Sequence, residues 1–119
     1  MNRRSWLPPL LWAALILVLT SIPVPGNVIV PGGDKTAHVL MYGVLGFLSA
    51  RAALRSSFAP STLIVVVLAI GVFAAIDEAH QLAIPGRSAD RLDWYADVVG
   101  ASLGTCLALL ESRGRERVR

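Results

Sequence analysis

The chain has 119 residues, of which 55% are hydrophobic and only 16% are charged, and its net charge is +3. This length predicts one domain, and a soluble domain carries about a quarter charged residues, so the composition favours lipid as the main solvent. The arginines cluster at the termini and in one short loop, which indicates membrane topology rather than a nucleic-acid partner.

The first predicted helix runs from about Leu7 to Ile22, behind a basic start that contains Arg3 and Arg4. We expect an uncleaved span rather than a signal peptide, because no small-x-small pair ends the run and three further apolar segments follow. Three prolines and three glycines in residues 23–33 then predict a loop.

The second predicted span covers residues 34–54, with Asp34 as its N-cap. The third begins at about Pro60 and contains the purely apolar run of residues 63–76. Each span reaches the length of about 20 residues needed to cross the hydrocarbon only if its polar end is included. The charges therefore lie in a protein-lined pocket near one membrane face, since charge exposed to lipid is costly.

A Pro-Gly pair in residues 82–89 predicts a turn, and the fourth span follows over residues 90–110. The basic tail, residues 111–119, is expected to be frayed or to lie on the lipid headgroups. We expect residues 1–119 to form a single four-helix transmembrane domain, an all-α bundle in the bacterial cytoplasmic membrane. Eight cationic residues on one side against three on the other place both termini in the cytoplasm and the pocket on the extracytoplasmic side.

Polar residues form a stripe at one end of each of the last three predicted helices. The spacing of three or four residues places the members of each stripe on one helix face. The stripes are Asp34, His38 and Tyr42; Asp77, Glu78 and Gln81; and Asp90, Asp93 and Asp97. Glycines extend these faces inward, where a missing side chain lets a neighbouring helix approach: Gly46, Gly71, Gly100 and Gly104.

The six carboxylates of these stripes exceed the three nearby cations, Lys35, Arg87 and Arg91, by three charges. In a region of low dielectric, at least one carboxyl is then protonated or a cation lies among them. The sequence identifies no cofactor, although a divalent cation that bridges Glu78, Asp93 and Asp97 would relieve the excess.

A purely structural interpretation competes with a functional one. Asp34 and Asp90 suit helix caps, and Lys35 and Arg91 suit ion pairs with nearby carboxylates. Glu78 and Asp97 fit a structural account less well, because the predicted depth of each requires a partner.

Two stretches of the chain, DKTAHVLMYGVLG (residues 34–46) and DEAHQLAIPGRSADRLDWYADVVGASLG (residues 77–104), resemble the VanZ-like membrane protein family. The resemblance covers about residues 31–110. It implies a small polytopic helical membrane protein connected with the cell envelope and with teicoplanin resistance, and it implies no reaction. The residues that correspond to the family pattern are Asp34, Lys35, His38, Tyr42, Asp77, Glu78, Gln81, Pro85, Gly86, Arg87, Ser88, Asp93, Asp97 and Gly100.

The first functional hypothesis is a pocket that binds or modifies a lipid or a lipid-linked cell-envelope headgroup. Arg87 and Lys35 would hold phosphate, and the acidic groups would hold amino or hydroxyl groups. The predicted binding residues are Asp34, Lys35, Tyr42, Gln81, Arg87, Ser88, Asp93 and Asp97.

The alternative is a membrane transferase or hydrolase that acts on a lipid-linked phosphate or ester. Asp77 or Glu78 would be the general base and His38 the acid or orienting partner, while Arg87 would stabilise negative charge. A structural or transport-associated membrane protein is the second alternative. Of these hypotheses the transporter ranks last, because charge confined to one face does not suit access from both sides.

Overall fold

The computed structural model of the protein describes residues 3–25 and 33–118. A short 3-10 helix comes first, and four α-helices, named α1 to α4, follow it. The elements are Arg3–Trp6, then α1 (Leu7–Thr20), α2 (Gly33–Arg55), α3 (Thr62–Gln81) and α4 (Arg91–Arg117). These ranges contain no strand, which confirms the predicted all-helical class, while residues 26–32 of the predicted loop lie outside the described residues.

Asp34 and Asp90 were predicted as helix N-caps, and the structure confirms one of the two. Asp90 is the N-cap of α4, since its backbone is extended and its side chain accepts a 2.9 Å hydrogen bond from the Leu92 amide. The prediction for Asp34 is wrong, because α2 already begins at Gly33 and Asp34 lies in the first turn. Its carboxylate still faces the positive end of the helix dipole.

The expectation of a frayed tail is also wrong. Helix α4 continues to Arg117, and its last turns carry an ion pair between Glu111 and Arg115 at the i,i+4 spacing that supports helices. Glu111 also lies 3.7 Å from the Arg51 guanidinium of α2. The basic tail therefore extends the helical bundle.

Helices α2 and α4 run parallel to each other, with α1 and α3 in the opposite direction. Lys35 meets Asp93 near the starts of α2 and α4, and Arg51 meets Glu111 near their ends. Along α3 the order is reversed. Glu78, near the end of α3, meets Asp90 at the start of α4, whereas the earlier Gly71 meets Trp94 further along α4. The ends of α1 and α3 therefore meet the starts of α2 and α4 at one end of the bundle, which we call the polar end.

Glycines bring α2 and α4 into backbone contact, as predicted. A Cβ atom built on Gly46 would lie 2.3 Å from the Ala101 carbonyl oxygen, and one on Gly104 would lie 1.9 Å from that of Gly43. Gly71 differs, because a Cβ atom there would meet only the Val98 side chain at an ordinary 3.7 Å. The buried core between the helices is rich in small side chains: Ala50, Ala53, Ala74, Ala101 and Ala108.

Two of the helices are long and apolar enough to cross a membrane, residues Asp34–Arg55 of α2 and Thr62–Gln81 of α3. Helix α1 has only 14 residues, fewer than the roughly 20 that a span requires. Large apolar side chains nevertheless remain exposed on α1 and α4, including Leu10, Leu11, Val18, Leu103 and Leu107. The multi-pass arrangement with four spans, and its orientation, stay predictions.

Candidate functional site

The polar end holds a cluster of buried ionisable side chains from α2, α3 and α4. Each predicted stripe contributes, and His38 and Tyr42 extend from the second and third turns of α2 towards the end of α3 and the start of α4. Its buried members are His38, Tyr42, Asp77, Glu78, Gln81, Asp93 and Asp97. The structure thus brings members of the three stripes together, as predicted from the expectation of a protein-lined pocket.

Asp77 is the centre of a hydrogen-bond network that joins three helices. The Thr20 hydroxyl of α1 lies 2.7 Å from Asp77 Oδ1. The Tyr42 hydroxyl of α2 donates to Asp77 Oδ2 at 3.1 Å, and the Gln81 amide donates to the same oxygen at 3.4 Å. Both carboxylate oxygens of Asp77 are therefore occupied, which favours a structural task over the predicted general-base role.

His38 lies against Asp97, which comes from the second turn of α4. The Nδ1 atom of His38 is 2.7 Å from Asp97 Oδ1, and both side chains are buried. The other ring nitrogen of His38 is 3.7 Å from Asp34 and 3.9 Å from Asp93. The imidazole is thus surrounded by carboxylates on both of its nitrogen edges.

Lys35 makes the ion pairs that the structural interpretation predicts. Its ammonium lies 2.7 Å from Asp93 and 3.3 Å from Asp90. Of the buried carboxylates, Asp93 is therefore neutralised by a lysine. A role of Lys35 in holding phosphate stays a prediction.

Glu78 and Asp97 each keep one carboxylate oxygen without a hydrogen-bond partner in the described part of the chain. Glu78 Oε2 accepts from the Asp90 amide at 3.1 Å, but its Oε1 atom is buried and unpartnered. The same holds for Asp97 Oδ2. Buried polar atoms are nearly always paired, so these two oxygens are candidates for contact with a water, an ion or a ligand.

A cleft of about 360 Å³ opens beside Glu78, between the end of α3 and the start of α4. Its lining combines carboxylates, one guanidinium and one indole: Ala75, Glu78, Ala89, Asp90, Arg91 and Trp94. The Trp94 indole N–H donates to the Gly71 carbonyl at 2.9 Å and fixes the ring at the cleft wall.

The turn between α3 and α4 is attached to the end of α1. Arg87 donates hydrogen bonds of 2.9 Å to the carbonyls of Leu19 and Ile22, which are near the C-terminus of α1. Gly86 has a φ of 78°, and a Cβ atom there would lie 1.8 Å from the Val24 carbonyl oxygen. Arg87 therefore serves as a cap of α1, and its predicted contact with phosphate stays a prediction, as does that of the exposed Ser88.

The sequence-based prediction missed the contribution of α1. Thr20 is buried in the Asp77 network, and the Ser21 hydroxyl lies 2.9 Å from the Nε2 atom of His80. The available signal was the Thr-Ser pair that ends an otherwise apolar run. Hydroxyl groups at the end of an apolar helix can form hydrogen bonds with side chains of a neighbouring helix.

The arrangement offers acid–base groups and metal ligands in one buried place. Potential ligand atoms of His38, Glu78 and Asp97 lie within 4.8 Å of one another, and so do those of Asp34, His38 and Asp93. The predicted cation site of Glu78, Asp93 and Asp97 is not one of these two groups. Both groups include His38, which the predicted site lacked.

A family model described as VanZ/LLP1 matches residues 5–111, so the chain belongs to that family. The match extends the resemblance seen in the sequence by including α1 as well as α2 to α4. Family membership and the two apolar helices indicate a membrane protein. No curated protein and no solved structure matches the chain.

Proposed function

We propose that this VanZ/LLP1 family member binds the headgroup of a lipid or lipid-linked cell-envelope component in the cleft beside Glu78. The observation that carries the proposal is the buried, unpartnered Glu78 Oε1 next to a cleft that also contains Asp90 and Arg91. An unpaired buried carboxylate oxygen is costly unless a donor from outside the chain reaches it.

The lining of the cleft suits a headgroup that carries both signs of charge. Arg91 presents a guanidinium, whose planar donors fit phosphate oxygens, whereas Glu78 and Asp90 suit an amino or hydroxyl group. The exposed side chains of Ile76 and Leu92 lie beside the cleft residues in sequence and offer an apolar surface to acyl chains. Arg91 is therefore proposed for the phosphate contact that was predicted for Arg87, because Arg91 lines the cleft and Arg87 donates to carbonyls of the α1 end.

Glu78→Gln is expected to reduce lipid binding about ten-fold, the equivalent of roughly 1.4 kcal/mol, because the amide replaces a charged acceptor by a neutral one. The measurement is mass spectrometry of the lipids that co-purify with the full chain in mild detergent, relative to the bulk membrane. Glu111→Gln is the matched control, since this residue lies at the opposite end of the bundle. An identical lipid profile for wild type and Glu78→Gln would contradict the proposal.

Deletion of the gene is expected to increase susceptibility to lipidated glycopeptides of the teicoplanin type more than to non-lipidated ones. The reason is that a protein acting on the outer-leaflet surface affects most the antibiotics that anchor there by a lipid tail. The measurement is the minimal inhibitory concentration for deletion strains complemented with wild type or Glu78→Gln. Equal changes for both antibiotic types count against an envelope-surface role.

A second candidate function is a membrane transferase or hydrolase that uses the buried cluster of His38, Glu78 and Asp97 next to this cleft. The contact of 2.7 Å between His38 and Asp97, close to the unpartnered Glu78, favours it, because a carboxylate-oriented imidazole suits acid–base catalysis. The variant Glu78→Gln distinguishes the two functions. Retained lipid with a lost resistance phenotype supports the enzyme, whereas loss of both supports binding.

A further inference from the structure

We propose that His38, Glu78 and Asp97 form a binding site for one divalent transition-metal ion of the zinc and manganese class. Each of the three residues lies on a different helix, namely α2, α3 and α4. The site is thus assembled only when these helices pack at the polar end. The site shares Glu78 with the proposed lipid cleft, whereas His38 and Asp97 do not line that cleft, so Asp97→Asn tests the metal site separately from lipid binding.

The spacing of the three side chains suits a common metal ion. One ligand atom from each residue lies within 4.8 Å of the others. Ligand atoms that are each about 2.1 Å from one metal ion lie roughly 3 to 4 Å apart, so only small side-chain adjustments close the site.

The unpartnered oxygens distinguish this group from an ordinary cluster of acids. Glu78 is 7% exposed and Asp97 is 1% exposed, yet Glu78 Oε1 and Asp97 Oδ2 receive no hydrogen bond within residues 3–25 and 33–118. A buried carboxylate oxygen without a donor costs free energy, and direct coordination of a cation removes that cost.

The remaining oxygen of each carboxylate is held in place by a neighbour. The Asp90 amide donates to Glu78 Oε2 at 3.1 Å, and Asp97 Oδ1 lies 2.7 Å from the His38 ring. The Asp90 contact leaves Glu78 Oε1 available to an ion, and coordination by His38 Nδ1 or Asp97 Oδ1 would replace the contact between those two atoms.

The charges and donor types indicate the kind of metal. Four carboxylates are buried at the polar end, Asp77, Glu78, Asp93 and Asp97, and Lys35 neutralises Asp93. One imidazole with two carboxylates suits zinc, manganese or ferrous ions, whereas magnesium and calcium prefer oxygen-only sites.

The second group, Asp34 with His38 and Asp93, is less suited to the metal. The Asp34 side chain is 63% exposed, and Lys35 already takes Asp93 Oδ1. An exposed carboxylate is stabilised by water without any cation. Asp34→Asn therefore separates the two groups, although both contain His38.

The test uses the purified full chain in detergent, stripped of metal with a chelator and then dialysed against Zn²⁺ or Mn²⁺. Elemental analysis is expected to find about one ion per wild-type chain, with affinity reduced about ten-fold or more in Glu78→Gln and Asp97→Asn. Asp34→Asn and the distant Glu111→Gln are expected to bind as wild type does. Helical circular dichroism and size-exclusion elution establish that each variant is folded.

Absence of stoichiometric metal from the wild type overturns the proposal, as does equal affinity in Glu78→Gln and Asp97→Asn. Loss of binding in Asp34→Asn alone also overturns it, because the ion would then lie in the other group. If a variant fails to fold, the metal content of the wild-type chain still tests the proposal. Electron–nuclear double resonance of the Mn²⁺-loaded chain is expected to detect a directly bound imidazole nitrogen, and its absence refutes a site that includes His38.

Discussion

Gly104→Ala is expected to lower the free energy of unfolding by about 3 kcal/mol, the upper part of the range for overpacked cores. The added Cβ atom would lie 1.9 Å from the Gly43 carbonyl oxygen and 2.8 Å from the Phe47 amide nitrogen. Both contacts are with backbone atoms, so no side chain can rotate away and α2 and α4 must separate. Alanine otherwise favours a helix over glycine by about 1 kcal/mol, so the expected sign opposes helix propensity.

Gly71→Ala and Gly114→Ala are the matched controls. A Cβ atom at Gly71 would be 3.7 Å from a Val98 methyl group, and one at Gly114 would meet nothing within 4 Å. Both variants are expected to be as stable as wild type or slightly more stable. The measurement is unfolding in detergent micelles followed by circular dichroism. If Gly104→Ala unfolds at the same point as the controls, the close packing of α2 on α4 is wrong.

Asp77→Ala is expected to destabilise the protein by roughly 3 kcal/mol, because it leaves the Tyr42 hydroxyl buried without an acceptor and creates a cavity. Tyr42 is 0% exposed and Asp77 is 1% exposed, so water reaches neither group. The loss of the Asp77 acceptor costs less at Thr20, since the Thr20 hydroxyl lies 2.9 Å from the Ile16 carbonyl and can donate there instead.

A double-mutant cycle with Tyr42→Phe tests this explanation. The single change Tyr42→Phe is expected to cost about 1 kcal/mol, since Asp77 keeps its other donors. Asp77→Ala in that background is expected to cost less than in wild type, because the stranded hydroxyl is already absent. Strictly additive effects on unfolding in micelles would show that the hydrogen bond between Tyr42 and Asp77 contributes nothing.

The two variants of neighbouring residues, Asp77→Ala and Glu78→Gln, also separate stability from function. Asp77 accepts hydrogen bonds from α1, α2 and α3, so its loss acts on the fold. Within residues 3–25 and 33–118 the Glu78 Oε1 atom has no hydrogen-bond partner, so the conservative replacement is expected to act on the proposed ligand. Sequence position cannot distinguish the two carboxylates, because they are adjacent at the end of one apolar run.

The helices could be predicted from the sequence because their determinants are local. Proline and glycine positions bound the apolar runs, and the spacing of His38 and Tyr42 fixes which residues share a helix face. The close approach at Gly46 and Gly104 was predictable for the same reason. The tail was mispredicted because its polar composition hid the support that Glu111 receives from Arg115 and Arg51.

Only the tertiary structure decided the partner of each charged side chain. His38 meets Asp97 across 59 residues of chain, and Thr20 meets Asp77 across 57, which no periodicity encodes. These pairings divide carboxylates of similar sequence context into different environments: Asp77 is hydrogen-bonded, Asp93 is paired with lysine, and Glu78 and Asp97 keep free oxygens. Sequence therefore determined which residues share a helix face, and packing then buried most of these at the centre of the bundle while Asp34 stayed exposed and Asp90 partly exposed. Packing determined what each meets there, because hydrogen bonds and ion pairs depend on distances of a few ångströms between helices.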